Sequence, residues 1–253
     1  MRRATNRPAR PIGYHALRSQ SHTRRIATRT WFAVLLIALC PLPSAAGPLD
    51  ALSEGDAAGG LRQALTQGAA AAVEKLGRAD GFLGNPKVRI PLPEGLRQTE
   101  GLMRALGMGK QAGELTLAMN RAAEDGVARA KPILVAAVKK MTVDDARRIL
   151  TGADDGATQY FRRTTSAQLT EQFLPIVTRA TEKVGLAAKY NELAGRAAKF
   201  GLLEEKDAKI ERYVTGKALD GLFLIIAEEE RAIRTNPLGA AGNLAKKVFG
   251  LLR

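Results

Sequence analysis

The chain has 253 residues, a formal net charge of +14, two histidines, one cysteine and one tryptophan. His15, His22, Trp31 and Cys40 all fall in the first 40 residues, which excludes a Ser-His-Asp triad, a cysteine nucleophile and a zinc centre on His or Cys ligands from the remainder. Eight of the 39 basic residues are also there, so 31 face 25 acidic residues afterwards, a net of +6; with few, scattered aromatics, that is no nucleic-acid surface.

Residues 1–46 read as a cleavable signal peptide. The arginines from Arg2 to Arg29 stand without any Asp or Glu, an apolar run follows from Trp31 to Cys40, and Ser44 and Ala46 fit the −3 and −1 positions of a cut before Gly47. The run is shorter than the roughly 20 residues that span a bilayer, and eight uncompensated arginines argue against a buried N-terminal helix. Thr23-Arg24-Arg25-Ile26-Ala27 matches a twin-arginine signal only in part, which leaves that route and the general secretory route both open. Leu39 is too large for the position before a lipidated cysteine, so anchoring at Cys40 is not expected. The expectation is export to the periplasm, with no integral membrane span in the mature chain.

Residues 47–253 read as a single helical domain, rich in Ala, Leu, Lys, Glu and Arg and nearly free of β-branched alternation. Leu61, Leu65, Ala69, Val73 and Leu76 form a 3.6-residue stripe that predicts a first helix over 56–76, closed by Gly77. From Asp80 to Pro93, three prolines and two glycines forbid helix. Val88, Ile90 and Leu92 alternate there with Lys87, Arg89 and Pro91, as in an extended arm laid apolar side down, a packed connector with a binding loop as the alternative. Helices are predicted over 94–106, from 110 toward 141 with an interruption at Pro132, and over 142–150 behind a Thr142-Val-Asp-Asp145 capping box.

A helix over 154–163 comes next, with Thr164-Thr165-Ser166 as the cap of a further one whose stripe is Leu169, Phe173, Ile176, Val177, Ala180 and Val184. Pro175 is expected to break or kink it. Leu186 to Phe200 reads as helix. Residues 208–236 read as two helices or one bent one, with Leu219, Leu222, Phe223, Ile226 and Ile233 buried and Glu230–Arg234 paired on the opposite face. Leu244, Val248 and Leu251 mark a last amphipathic helix. The stretch at Pro132 resembles that at Pro175 at an offset of 43 residues, which suggests two stacked helix–kink–helix repeats. The fold class is therefore all-α: a multi-helix bundle with one Pro-rich extended arm.

Several stretches together resemble one bacterial family, catalogued as domain of unknown function 4197. They include Asp80-Gly-Phe-Leu83, Val88-Arg-Ile-Pro-Leu-Pro93, Met119-Asn-Arg-Ala-Ala-Glu124, Lys140-Met-Thr-Val-Asp-Asp-Ala146, Ala157-Thr-Gln-Tyr-Phe-Arg162 and Lys217-Ala-Leu-Asp-Gly-Leu-Phe223. The resemblance covers nearly all of the chain after the leader. It implies an exported helical protein without an assigned activity and supplies no catalytic residues.

Two polar groups are candidate ligand contacts. Asp155, Gln159 and Arg163 stack at i,i+4 beside Tyr160, where Arg163 and a following helix N-terminus can attract an anion. Asn120, Arg121 and Glu124 form the second group, which the repeat would set opposite Arg163. The plain alternative for both is capping and ion pairing. Asp144-Asp145, Asp154-Asp155 and Glu228-Glu229-Glu230 offer oxygen ligands but lack EF-hand spacing, so neither a metal nor another cofactor is expected. The favoured function is a non-enzymatic module of the cell envelope that binds a small ligand or an envelope protein, with no catalytic residue assigned. The alternatives are a carboxylate- or metal-dependent enzyme acting on an envelope component, and a peripheral lipid-handling protein. Oligomeric state is not readable.

Overall fold

The computed structural model describes residues 54–201, 204 and 208–236. The expected signal peptide and the expected helix around Leu244, Val248 and Leu251 lie outside the described residues. Within them the chain forms α1 (Glu54–Leu76), α2 (Glu94–Gln98), α3 (Glu100–Ala105), α4 (Gly109–Ala128), α5 (Lys131–Lys140), α6 (Val143–Thr151), α7 (Gly156–Thr181), α8 (Gly185–Lys199) and α9 (Ile210–Thr235). It is an all-α bundle. The two longest helices, α7 and α9, pack together; α4 lies against both, and α1 lies against α9, α5 and α6.

The apolar stripes account for this packing. Leu61, Leu65, Ala69, Val73 and Leu76 are all buried, as are Leu169, Phe173, Ile176 and Val177 on α7 and Leu219, Leu222, Phe223 and Ile226 on α9. Burying side chains of this size contributes about 1.5–3 kcal/mol each before chain entropy is subtracted. Small residues let the layers close. A Cβ on Gly77 would lie 2.8 Å from the Ala128 backbone, so the ends of α1 and α4 meet only because that position is glycine.

The arm follows its alternation. Val88, Ile90 and Leu92 are buried and Lys87, Arg89 and Pro91 are exposed. It passes over α9 at Gly221, where a Cβ would meet the Phe82 ring at 2.7 Å.

Three local expectations are corrected. Thr164-Thr165-Ser166 does not open a new helix, because α7 runs unbroken from Gly156 to Thr181. The three hydroxyls instead donate to the carbonyls of Tyr160, Phe161 and Arg162 one turn back, at 2.8, 2.7 and 2.6 Å, the back-bonding open to Ser and Thr inside a helix. Of the break or kink expected at Pro175, the break is absent, since α7 continues past it, whereas Pro132 sits in the first turn of α5; the two segments paired by the 43-residue offset therefore occupy different local structures. Finally, Glu230 is not on a solvent face: it is 5% exposed.

The capping box at α6 is formed. Asp145 N–H donates to Thr142 Oγ1 at 3.1 Å, and Thr142 N–H and Oγ1–H donate to Asp145 Oδ2 at 3.1 and 2.8 Å. The Thr142 hydroxyl, then its backbone N–H, and more weakly Arg163 and Arg148, hold the Asp145 carboxyl below its ordinary value of 3.8. A depressed folded pKa adds stability that is present above the unfolded value and is lost as pH falls through the folded one. Thr142→Ala is expected to cost about 1 kcal/mol at pH 7, with the gap to the parent narrowing once pH drops below 3.8. Urea midpoints at pH 7 and pH 3 check this, and an unchanged gap would refute it.

Candidate functional site

The six residues singled out from sequence are held in two separate settings. Asn120 and Arg121 leave α4 toward the arm. Asn120 is 0% exposed. Its Oδ1 accepts the Ile90 N–H at 2.9 Å, and its Nδ2 donates to the Ile90 and Thr116 carbonyls at 2.9 and 2.8 Å. The side-chain amide thus pairs with the arm as a neighbouring strand would.

One turn further, Glu124 Oε1 accepts the N–H groups of Phe82 and Leu83 at 3.0 and 3.2 Å. Arg121 links its other oxygen, at 2.7 Å, to Asp80 at 2.8 Å. Glu124, and then Asp80, raise the pKa of the Arg121 guanidinium against the opposing effect of burial. Asp80 has φ 62°, a left-handed conformation that Asp tolerates better than most residues. These groups fasten the arm.

Asp155, Gln159 and Arg163 do share one outer face of α7. Gln159 Nε2 donates to Asp155 Oδ2 at 2.9 Å, and the Arg163 guanidinium lies 5.6 Å from the Tyr160 ring centre and 3.9 Å from Asp145. Tyr160 itself points inward and donates its hydroxyl to the Ala137 carbonyl at 2.9 Å. Burial, then the nearby Asp145, pushes its phenol upward. Because α7 is continuous, Thr164-Thr165-Ser166 supplies no helix N-terminus beside Arg163, whose guanidinium faces Asp145 in the first turn of α6 instead.

The carboxylates also have structural employment. Glu230 reaches from α9 to the start of α7, where it accepts the N–H groups of Ala157 and Thr158 at 3.0 and 2.9 Å and the Thr158 hydroxyl at 2.8 Å. Arg234 braces it at 2.9 Å and donates to the Ile149 carbonyl at 2.9 Å. The Asp155 side chain makes no cap bond to α7, so the orphan donors of that helix are satisfied from another helix. Glu228 and Glu229 do not converge with Glu230: they pair outward with Lys87 at 2.7 Å and Lys75 at 2.5 Å.

Two clefts, neither lined by any of the six residues, are better placed to meet a ligand. One, of about 460 Å³, lies between the arm, the start of α2 and α9; Lys87, Arg89, Arg97 and Lys217 line it, with Tyr213 and Leu224. The other, of about 450 Å³, lies between α2–α3 and α8 and is walled by Leu96, Met103, Met108, Leu186, Tyr190 and Leu193. Both fall within the roughly 300–1,000 Å³ typical of small-molecule sites. Beyond the alternative of a binding loop at the arm, the sequence gives no pointer to them, because their residues come from distant segments. The signal available for the second was Leu193, a leucine on the outer face of α8 that is 65% exposed.

The profile of the family described as "Protein of unknown function (DUF4197)" matches residues 51–250, and the chain belongs to that family. No curated protein and no solved structure gives a significant match.

Proposed function

We propose that this member of the family is an exported, non-enzymatic binding protein of the bacterial cell envelope, and that the apolar groove between α2–α3 and α8 takes the aliphatic part of a lipid-like ligand. The observation that carries this reading is the lining of the groove. Its walls are leucine, methionine, tyrosine and alanine, and Thr99 and Lys189 add the polar side chains at its edge. Methionine adapts its shape to flexible apolar guests, and Lys189 can pair with an anionic headgroup. Among the described residues no helix is long and apolar enough to cross a membrane, which suits a protein that meets lipid by groove rather than by span. The two buried glutamates favour binding over catalysis, because each is committed to backbone N–H groups of the fold.

Leu193 offers a clean test. It lines the groove while remaining 65% exposed, so Leu193→Glu inserts a charge with little damage to the core. Titration of the purified protein with lauric acid by calorimetry is expected to saturate, and Leu193→Glu to weaken it at least tenfold at unchanged thermal stability. Absence of saturable binding to the parent protein would sink the reading. Export is tested separately: N-terminal sequencing of protein from the periplasm should begin at Gly47.

Leu193, which lines the groove yet is 65% exposed, also suits a second reading in which the groove seats the apolar helix face of another envelope protein. Native mass spectrometry of the periplasmic material separates the two, since a lipid and a protein add very different masses.

A further inference from the structure

We infer that the cleft between the arm and α9 is a second, independent site, built for a small organic oxyanion (a carboxylate or a phosphate) with an apolar body. Four cationic side chains line it: Lys87 and Arg89 from the arm, Arg97 from α2 and Lys217 from α9. Its two acidic lining residues are spent on partners. Glu94 pairs with Arg97, and Asp220 with Arg162 at 3.4 Å. Lys87 is held by Glu228. Among the described residues Arg89 and Lys217 have no carboxylate partner, and Lys217 Nζ instead lies 5.9 Å from the Tyr213 ring. Arg89 also borders a neighbouring cavity beside Glu100, but that carboxylate is taken by Arg104 at 2.6 Å.

Surface lysines and arginines usually swing freely in water, and an unpaired one carries little meaning. This pair differs in its support. Arg89 precedes Ile90, whose N–H and C=O are both gripped by Asn120. Two residues further on, the Pro91 carbonyl accepts the Tyr213 hydroxyl at 3.1 Å. The backbone that carries Arg89 is therefore fixed at two points. Opposite it, Tyr213, Lys217, Asp220 and Leu224 recur at three- and four-residue spacing along one face of α9. Two like charges held against one cleft repel each other until an anion enters, and an anion between them gains from both. Ile90, Leu92 and Leu224 supply the apolar contact for the rest of such a molecule.

The inference uses other residues than the apolar groove and stands or falls apart from it. The test is a titration of the full chain with inorganic phosphate and, in parallel, with citrate, followed by amide chemical shifts. Saturable shifts at Arg89, Tyr213 and Lys217 are expected for at least one probe. Tighter phosphate binding would point to a phosphorylated ligand, tighter citrate binding to a polycarboxylate. The double substitution Arg89→Gln with Lys217→Gln should weaken that binding at least tenfold. Lys139→Gln with Lys140→Gln, which removes the same charge from α5, should change it less than twofold. Equal losses in the two double variants, shifts centred elsewhere, or no saturation with either probe would overturn the assignment.

Discussion

Glu230→Ala is expected to destabilise the protein by about 3–5 kcal/mol, the cost of breaking a buried ion pair from one side. The substitution takes the acceptor from two backbone N–H groups and one hydroxyl at the start of α7. It also leaves Arg234, whose side chain is only 15% exposed, beside an empty space. Glu230→Gln is the sharper probe. It keeps the size and one carbonyl oxygen but puts an amide N–H₂ where a carboxylate oxygen received donors, so it should recover less than half of the loss. Urea unfolding at pH 7 measures both. Hydrogen exchange should place the damage at Ala157 and Thr158 before it reaches the core stripe of α7. A loss below 1 kcal/mol for Glu230→Ala would mean that water caps α7 equally well.

This arrangement also bears on the choice between enzyme and binding protein. A carboxylate enzyme needs an acid or base that faces substrate. Glu124 and Glu230 are the buried carboxylates among the described residues, and both are turned toward peptide N–H groups of the fold. The groove on one side of α2 is walled mainly by leucine, methionine and tyrosine, and the cleft on the other by four cations with Glu94 and Asp220, two carboxylates already paired with arginines.

How much of this the chain disclosed depended on how local the cause was. The stripes of α1, α7 and α9 and the alternation of Val88, Ile90 and Leu92 are periodic, and burial follows them except at Ala180, Val184 and Ile233, toward the ends of the last two stripes, which are half-buried. The capping box at Thr142 closes within four residues and was legible for the same reason. Thr164-Thr165-Ser166 misled because the same hydroxyls that cap a helix can bond one turn back. Burial of Phe161, Thr165 and Leu169 on one stripe favours the continuous helix, and that burial is supplied by α4 and α9, far away in sequence. Glu230 looked like the end of an acidic run because the backbone N–H groups it accepts are more than 70 residues distant. The clefts were hidden for the same reason: α2 and α8, or the arm and α9, become walls of one space only after folding.

Asn120→Ala should cost about 2–4 kcal/mol, since it leaves the Ile90 N–H and C=O buried without their partner, at about 1–3 kcal/mol for each group. Asn120→Asp is expected to be worse at pH 7 despite its matching shape. The amide nitrogen that donates to the Ile90 and Thr116 carbonyls would become a charged oxygen facing both. Burial and the two carbonyls disfavour the charged form, so the folded pKa of the introduced carboxyl must lie above its unfolded value of about 3.9. A raised folded pKa gives stability that is greatest below the unfolded value and is lost as pH rises through the folded one. The deficit of Asn120→Asp relative to the parent should therefore shrink between pH 7 and pH 4, as the protonated acid regains one donor, while that of Asn120→Ala stays constant. Amide exchange at Ile90, Phe82 and Leu83 reports whether the arm itself lets go. If Asn120→Asp matches the parent at neutral pH, the side chain does not clamp the arm, and the rigid footing of Arg89 goes with it.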